Sequence, residues 1–130
     1  MLFPNDLKYT KSDEWVRVQG DFGTIGITDY AQSQLSDVVF VELIARKGDE
    51  AKMGSICAAV ESVKAAADVN FPVSGKVLEV NDSLPLTPEI VNSDPYGNAW
   101  MIKVQLSDPS ELAILMDAAA YEAYCQERGH

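Results

Sequence analysis

The chain has one histidine, and it is the last residue, His130. Chain ends fray, so no catalytic role is expected of it. Triads built on histidine and most zinc sites with histidine ligands are thereby excluded. Cysteine is scarce too. Cys57 and Cys125 form neither a CxxC pair nor a disulfide framework, which implies a reducing compartment. Basic residues are few: 10 Lys and Arg against 20 Asp and Glu, a net charge of −10. Phosphate binding relies on clustered Lys and Arg, so nucleic acid is not an expected partner. An anionic membrane surface is disfavoured for the same reason. The acidity fits partners with basic patches, though it also serves solubility alone. No apolar run is long enough to span a bilayer. Met1 to Tyr9 has neither the basic-then-apolar pattern of a signal peptide nor an Arg-rich transit segment.

What is present suits one domain over residues 1–130, with 47% hydrophobic residues to build a core. Strand signals dominate the middle. Trp15-Val16-Arg17-Val18-Gln19 alternates apolar and polar, Gly20-Asp21 is a turn, and Thr24–Thr28 returns as the second arm of a hairpin. Asp29–Ser36 has helical spacing, with Thr28 or Asp29 as its cap. Val38–Ile44, Ile56–Ser62, Ala66–Phe71, Lys76–Asn81 and Trp100–Leu106 are further strands, and Lys47–Glu50 is a loop. Propensity alone makes Ala65-Ala66-Ala67 helical, but the piece is short and flanked by strand signals. Asp82–Asn98 contains Pro85, Pro88, Pro95 and Gly97 and is expected to be a long loop with one helical turn. Asp108-Pro109-Ser110-Glu111 is a helix start, with Leu112, Leu115 and Met116 as its apolar face. Asp117 caps a second helix running through Tyr121, Tyr124 and Cys125. The expected fold is mostly β, with short helices near the N-terminal third and at the C-terminus.

Lys64 falls between two of these strands, at the tip of a hairpin. Such tips project from a rigid scaffold. A lysine there offers a long stem and an amine that can be acylated, and Ala65, Ala66 and Ala67 leave room for another protein. On spacing alone, an ordinary solvated lysine is the simpler reading, and seven lysines are present.

The choice of Lys64 rests on a resemblance. Tyr9-Thr10-Lys11-Ser12-Asp13-Glu14-Trp15, Ile25–Gln32, Val38–Leu43, Val60-Glu61-Ser62-Val63-Lys64-Ala65, Pro72–Val77 and Val91–Gly97 come in order across nearly the whole chain. Trp100 and a helical tail follow. Together they resemble the glycine cleavage H-protein family, which uses Glu-Ser-Val-Lys-Ala around its lipoyl-lysine. The resemblance implies a barrel-sandwich hybrid with lipoate joined to Lys64 by an amide. It implies a carrier with no catalytic residue of its own, the sulfur chemistry belonging to the cofactor. The arm would take up an aminomethyl group at the P protein (glycine decarboxylase). It would then fold onto the carrier, pass the carbon on at the T protein (aminomethyltransferase), and be reoxidised by the L protein (dihydrolipoamide dehydrogenase). A lipoate ligase or a lipoyl/octanoyl transferase would attach it.

The resemblance implies that Glu61 and Ser62 are the recognition motif beside Lys64, and that Ser12, Glu14 and Asp68 form the cleft that docks the arm. A carboxylate there suits a cationic amine, although on composition alone any carboxylate is a solvated surface group. Some positions depart from the family. Asp13 stands where His is usual, Gln34 where some members have His, and Ala99 where Gly is common. Leu43–Lys47 replaces the usual Leu-Pro. Asp13 and Gln34 bear on arm docking and leave the lysine motif untouched. A monomer is expected; a bacterial cytoplasm is favoured because Met1 lies so near the first motif, with a mitochondrial matrix as the alternative.

Other readings differ at stated residues. Biotin carriers present Met-Lys-Met, whereas Val63 and Ala65 flank this lysine. Lipoyl domains of 2-oxoacid dehydrogenases usually place Asp before the lysine and lack both the Ser12–Trp15 region and the tail. An H-like protein that relays lipoyl groups to other enzymes is the nearest rival, and a cofactor-free interaction module a more distant one. A thiol enzyme would need a base beside Cys57 or Cys125, and Cys57 lies in an apolar strand.

Overall fold

The computed structural model describes residues 1–128; His130 lies outside them. Among the described residues, nine strands form two antiparallel sheets. They are β1 (Lys8–Tyr9), β2 (Glu14–Gln19), β3 (Phe22–Ile27), β4 (Val38–Leu43), β5 (Glu50–Ala51), β6 (Ile56–Ser62), β7 (Ala66–Asn70), β8 (Gly75–Val80) and β9 (Ile102–Leu106). One sheet has the order β1-β2-β3-β9-β8-β5 and the other β4-β6-β7. The helices are α1 (Asp29–Leu35), α2 (Ile90–Ser93) and α3 (Ala118–Arg128). The sheets do not close into one hydrogen-bonded barrel, in keeping with a barrel-sandwich hybrid.

Alternation drives the packing. Val16, Ile25, Val77 and Val104 of the larger sheet meet Val41, Ala58, Val60 and Val69 of the smaller in one buried core. A second cluster joins Leu7, Tyr9, Trp15, Tyr30, Tyr96 and Tyr121 beneath α3. Trp15 is fully buried, and its Nε1 donates to the carbonyls of Ile27 (2.9 Å) and Pro95 (3.1 Å). Its cross-strand partner is Gly26, where a Cβ would lie 2.7 Å from the indole. Only glycine fits there, which accounts for the Ile-Gly-Ile spacing.

The β2–β3 hairpin turns at Gly20 (φ 62°), and α1 begins at a Thr28 cap whose Oγ1 accepts from Ala31 N–H. The alanine-rich segment after Lys64 is strand β7, as its flanks predict. The proline-rich loop holds α2 and a 3₁₀ turn at Leu84–Leu86.

Besides β1, which no strand signal announced, the earlier start of β3 at Phe22 and the second helical piece in the proline-rich loop, the structure differs from expectation in three places. The helix expected from Asp108 is a short 3₁₀ helix, Pro109–Ala113. Glu111 is drawn to the sheet, its carboxylate accepting the Ser74 N–H and hydroxyl at 2.7 Å each. Met116 then exchanges two backbone hydrogen bonds with Tyr9, so the chain leaves the helix to pair with β1. Second, Glu50 belongs to a two-residue strand, β5, rather than to a loop. Third, β9 begins at Ile102, after Trp100 and Met101.

Candidate functional site

Ser62 builds the turn that presents Lys64. Its Oγ accepts the backbone N–H groups of Lys64 (3.1 Å) and Ala65 (2.9 Å) and donates to the Ala65 carbonyl (3.0 Å). The Ser62 N–H also donates to that carbonyl, at 2.7 Å. One hydroxyl thus organises three residues, a local use that suits serine. Val63 N–H donates to the Asp37 carbonyl at 3.0 Å, tying the turn to the segment before β4. Lys64 is exposed. Its ammonium lies 3.4 Å from the Gln34 carbonyl, near the C-terminal end of α1. Neither of the two ion pairs among the described residues involves Lys64.

A cleft of about 160 Å³ lies between this hairpin, α1 and the loop before β2. Ile27, Ala31, Leu35, Val60, Ala67 and Val69 give it apolar walls, and Ser12, Asp13, Gln34 and Asp68 its polar rim. Ala31, Gln34 and Leu35 come from one face of α1 by helical spacing, and Ala67 and Val69 from one face of β7 by alternation. Asn92 holds α1 in place. Its side chain donates to Gln32 Oε1 and the Ser36 carbonyl, both at 2.9 Å, and accepts from Val38 N–H at 2.8 Å. The end of α1 and the start of β4 are therefore fastened to the long loop.

The predicted site residues separate into groups. Ser12 and Asp68 line the cleft. Glu61 is exposed on β6, opposite Phe40 of β4, three residues before Lys64. Glu14 is only 1% exposed and does not line the cleft. Its Oε1 accepts the hydroxyls of Ser12 and Thr10 at 2.6 Å each, and its Oε2 the Asn70 N–H at 3.1 Å. It thus stands behind Ser12 and joins β2 to the end of β7. Burial raises its pKa above the ordinary carboxylate value, against the lowering effect of those donors. Glu14 is not the solvated acid that composition alone suggests.

Asp13 and Gln34, the two departures near the arm, both line the cleft. The apolar walls escaped the sequence reading. The spacing of Ala31 with Leu35 carries some signal, but the meeting of α1 with β6 and β7 is a long-range event. Cys57 is fully buried, and burial pushes its thiol up to about 12. Almost no thiolate forms near neutral pH, so the core reading of this residue holds. No cluster of three metal-ligating side chains occurs among the described residues.

Comparison with known proteins agrees with this architecture. The family model described as "Glycine cleavage H-protein" matches residues 7–128. A glycine cleavage system H protein of Symbiobacterium thermophilum is 53% identical over 124 residues, 95% of this chain and 96% of that protein. One from Carboxydothermus hydrogenoformans is 51% identical over 128 residues, 98% of each. The crystal structure of a glycine cleavage system H protein from Mycobacterium marinum superposes with a TM-score of 0.83 at 34% identity, covering 98% of this chain and 99% of that one.

Proposed function

The chain belongs to the glycine cleavage H-protein family, and from that premise we propose that Lys64 is the residue that carries its lipoyl group. As a member it is the lipoyl-carrier component of the glycine cleavage system. The observation that carries the assignment to Lys64 is an exposed amine on a turn closed by Ser62, beside an apolar cleft with a polar rim. The residues present suit the group: the walls accept an aliphatic chain, and Asp68 offers a carboxylate to a cationic amine at its end.

Acylation of Nζ removes the lysine charge and lengthens the arm. Lysine and lipoyl chain together reach on the order of 10–15 Å, about ten bonds of ~1.5 Å. The group when bound supplies a dithiolane that is reduced, loaded and reoxidised. The protein's part is to hold and release. Ser62 fixes where the arm leaves the surface, and Ala65 and Ala66 keep that surface low. The cleft excludes water from whatever it holds, while Ser12 and Asp68 supply a hydroxyl and a carboxylate. Glu14 positions Ser12 by accepting its hydroxyl proton. On this reading the chain contributes no catalytic residue. Its partners are the P, T and L proteins and the ligase or transferase that attaches the arm. The bacterial relatives favour a cytoplasmic setting, and no helix among the described residues is long and apolar enough to cross a membrane.

The test is Lys64→Arg in a reconstituted assay of glycine-dependent carboxyl exchange. Activity is expected to fall to background with the thermal midpoint unchanged. Full activity in the variant would refute the assignment.

A further inference from the structure

We propose that the C-terminal helix is a positioning element of the cleft, setting the spacing between α1 and the Ser12–Asp13 rim through Asp13. The proposal rests on the reading that the Lys64 arm docks in this cleft. Asp13 has φ 75°, the left-handed region that costs a non-glycine residue free energy unless its surroundings hold it. Four contacts hold it here. Its N–H donates to the Thr10 carbonyl (3.2 Å), and its carbonyl accepts the Thr28 N–H (3.0 Å) at the entrance to α1. Its Oδ1 accepts the Tyr121 hydroxyl at 2.8 Å and also pairs with the Arg128 guanidinium.

The proton directions follow from the donors available. Tyr121 has one hydroxyl proton, and it goes to the Asp13 carboxylate. The 2.6 Å contact between Thr28 Oγ1 and Tyr121 Oη therefore has Thr28 as donor. Thr28 Oγ1 in turn accepts Ala31 N–H at 3.1 Å. One directed chain runs from the first turn of α1 through Thr28 and Tyr121 to Asp13, and such chains reinforce themselves. Both α3 residues that reach Asp13 are fixed. Tyr121 is fully buried and stacks on Tyr9 at 4.6 Å with planes 2° apart. The Arg128 guanidinium lies over the rings of Tyr30 (4.4 Å) and Tyr124 (4.2 Å).

Neither Tyr121 nor Arg128 lines the cleft, yet together they join two of its walls, α1 and the rim loop. Arg128 also balances the Asp13 charge, so Asp68 is left as the rim carboxylate without an ion-pair partner among the described residues.

The test uses ¹⁵N-labelled full-length protein in unmodified and lipoylated forms: wild type, Arg128→Gln, Arg128→Lys and Tyr121→Phe. In unmodified protein, exchange of the Thr28 amide is expected to quicken about tenfold in Arg128→Gln and Tyr121→Phe, with β8 and β9 amides unchanged. On lipoylation, wild type is expected to shift the Ser12, Ala31 and Asp68 amides. Arg128→Gln should lose at least half of that shift, and Arg128→Lys should recover part of it. Wild-type shifts persisting undiminished in Arg128→Gln and Tyr121→Phe would overturn the proposal, even if both variants melt earlier. Absence of the wild-type shifts would instead overturn the docking reading beneath it. Should Tyr121→Phe fold poorly, the surface-side Arg128 variants decide alone.

Discussion

Trp15 and Lys64 mark opposite extremes of one framework. Around Trp15, buried aromatic rings from β1, β2, α1 and α3 pack together, and the indole N–H is shared by two carbonyls. Around Lys64, three alanines, one serine and an exposed valine leave the hairpin tip almost bare. The first region has few ways to move. The second is held by backbone and hydroxyl hydrogen bonds alone. A carrier needs both, because an arm that swings between foreign sites must start from a point that does not.

Substitutions should therefore divide by region. Trp15→Ala removes the centre of the aromatic cluster and leaves a cavity. It is expected to cost about 3–5 kcal/mol in chemical denaturation, the range for large core truncations. A loss under ~1 kcal/mol would mean the cluster is not the anchor described. Ser62→Ala should do the reverse. It removes the oxygen that organises the Lys64 turn, worth about 0.5–1.5 kcal/mol locally, and should slow lipoylation several-fold with little change in the global midpoint. An unchanged modification rate would show that the turn needs no such closure.

The smallest effect concerns Glu14, which lies between the two regions. Its pKa is raised in the folded protein above the ordinary value of 4.5, chiefly by burial. The folded state thus binds that proton more tightly than the unfolded chain does. The stabilisation it gives is full below about pH 4.5 and is lost as pH rises through the folded pKa. The wild type should gain stability relative to Glu14→Gln as pH falls from 7 to 5, measured by urea denaturation. A relative loss over that interval would reverse the sign assigned to burial.

Much of this was legible in the chain because local rules decided it. Alternation located β2 and β8, and apolar strand signals located β4, β6 and β9, each to within a residue or two, while Thr28 or Asp29 marked the start of α1. Lys64 fell at a hairpin tip because two strand signals met there. What escaped depended on distant partners. Residues 109–116 look helical until Ser74 captures Glu111 and Tyr9 captures Met116. Glu14 looks like a surface acid until its donors are seen. Two of them, Thr10 and Ser12, lie within four residues of it, a spacing that could have flagged the burial. The third, Asn70, is 56 residues away. The cleft combines segments 12–13, 27–35 and 60–69, and no local period announces that they meet.

On the proposal made above, one lysine of seven carries the arm. Fragmentation mass spectrometry of the protein purified from its native cells tests it most directly. A mass increment of one lipoyl amide is expected, confined to the peptide containing Lys64 and borne by that residue. The same increment on another lysine, with Lys64 unmodified, would contradict it.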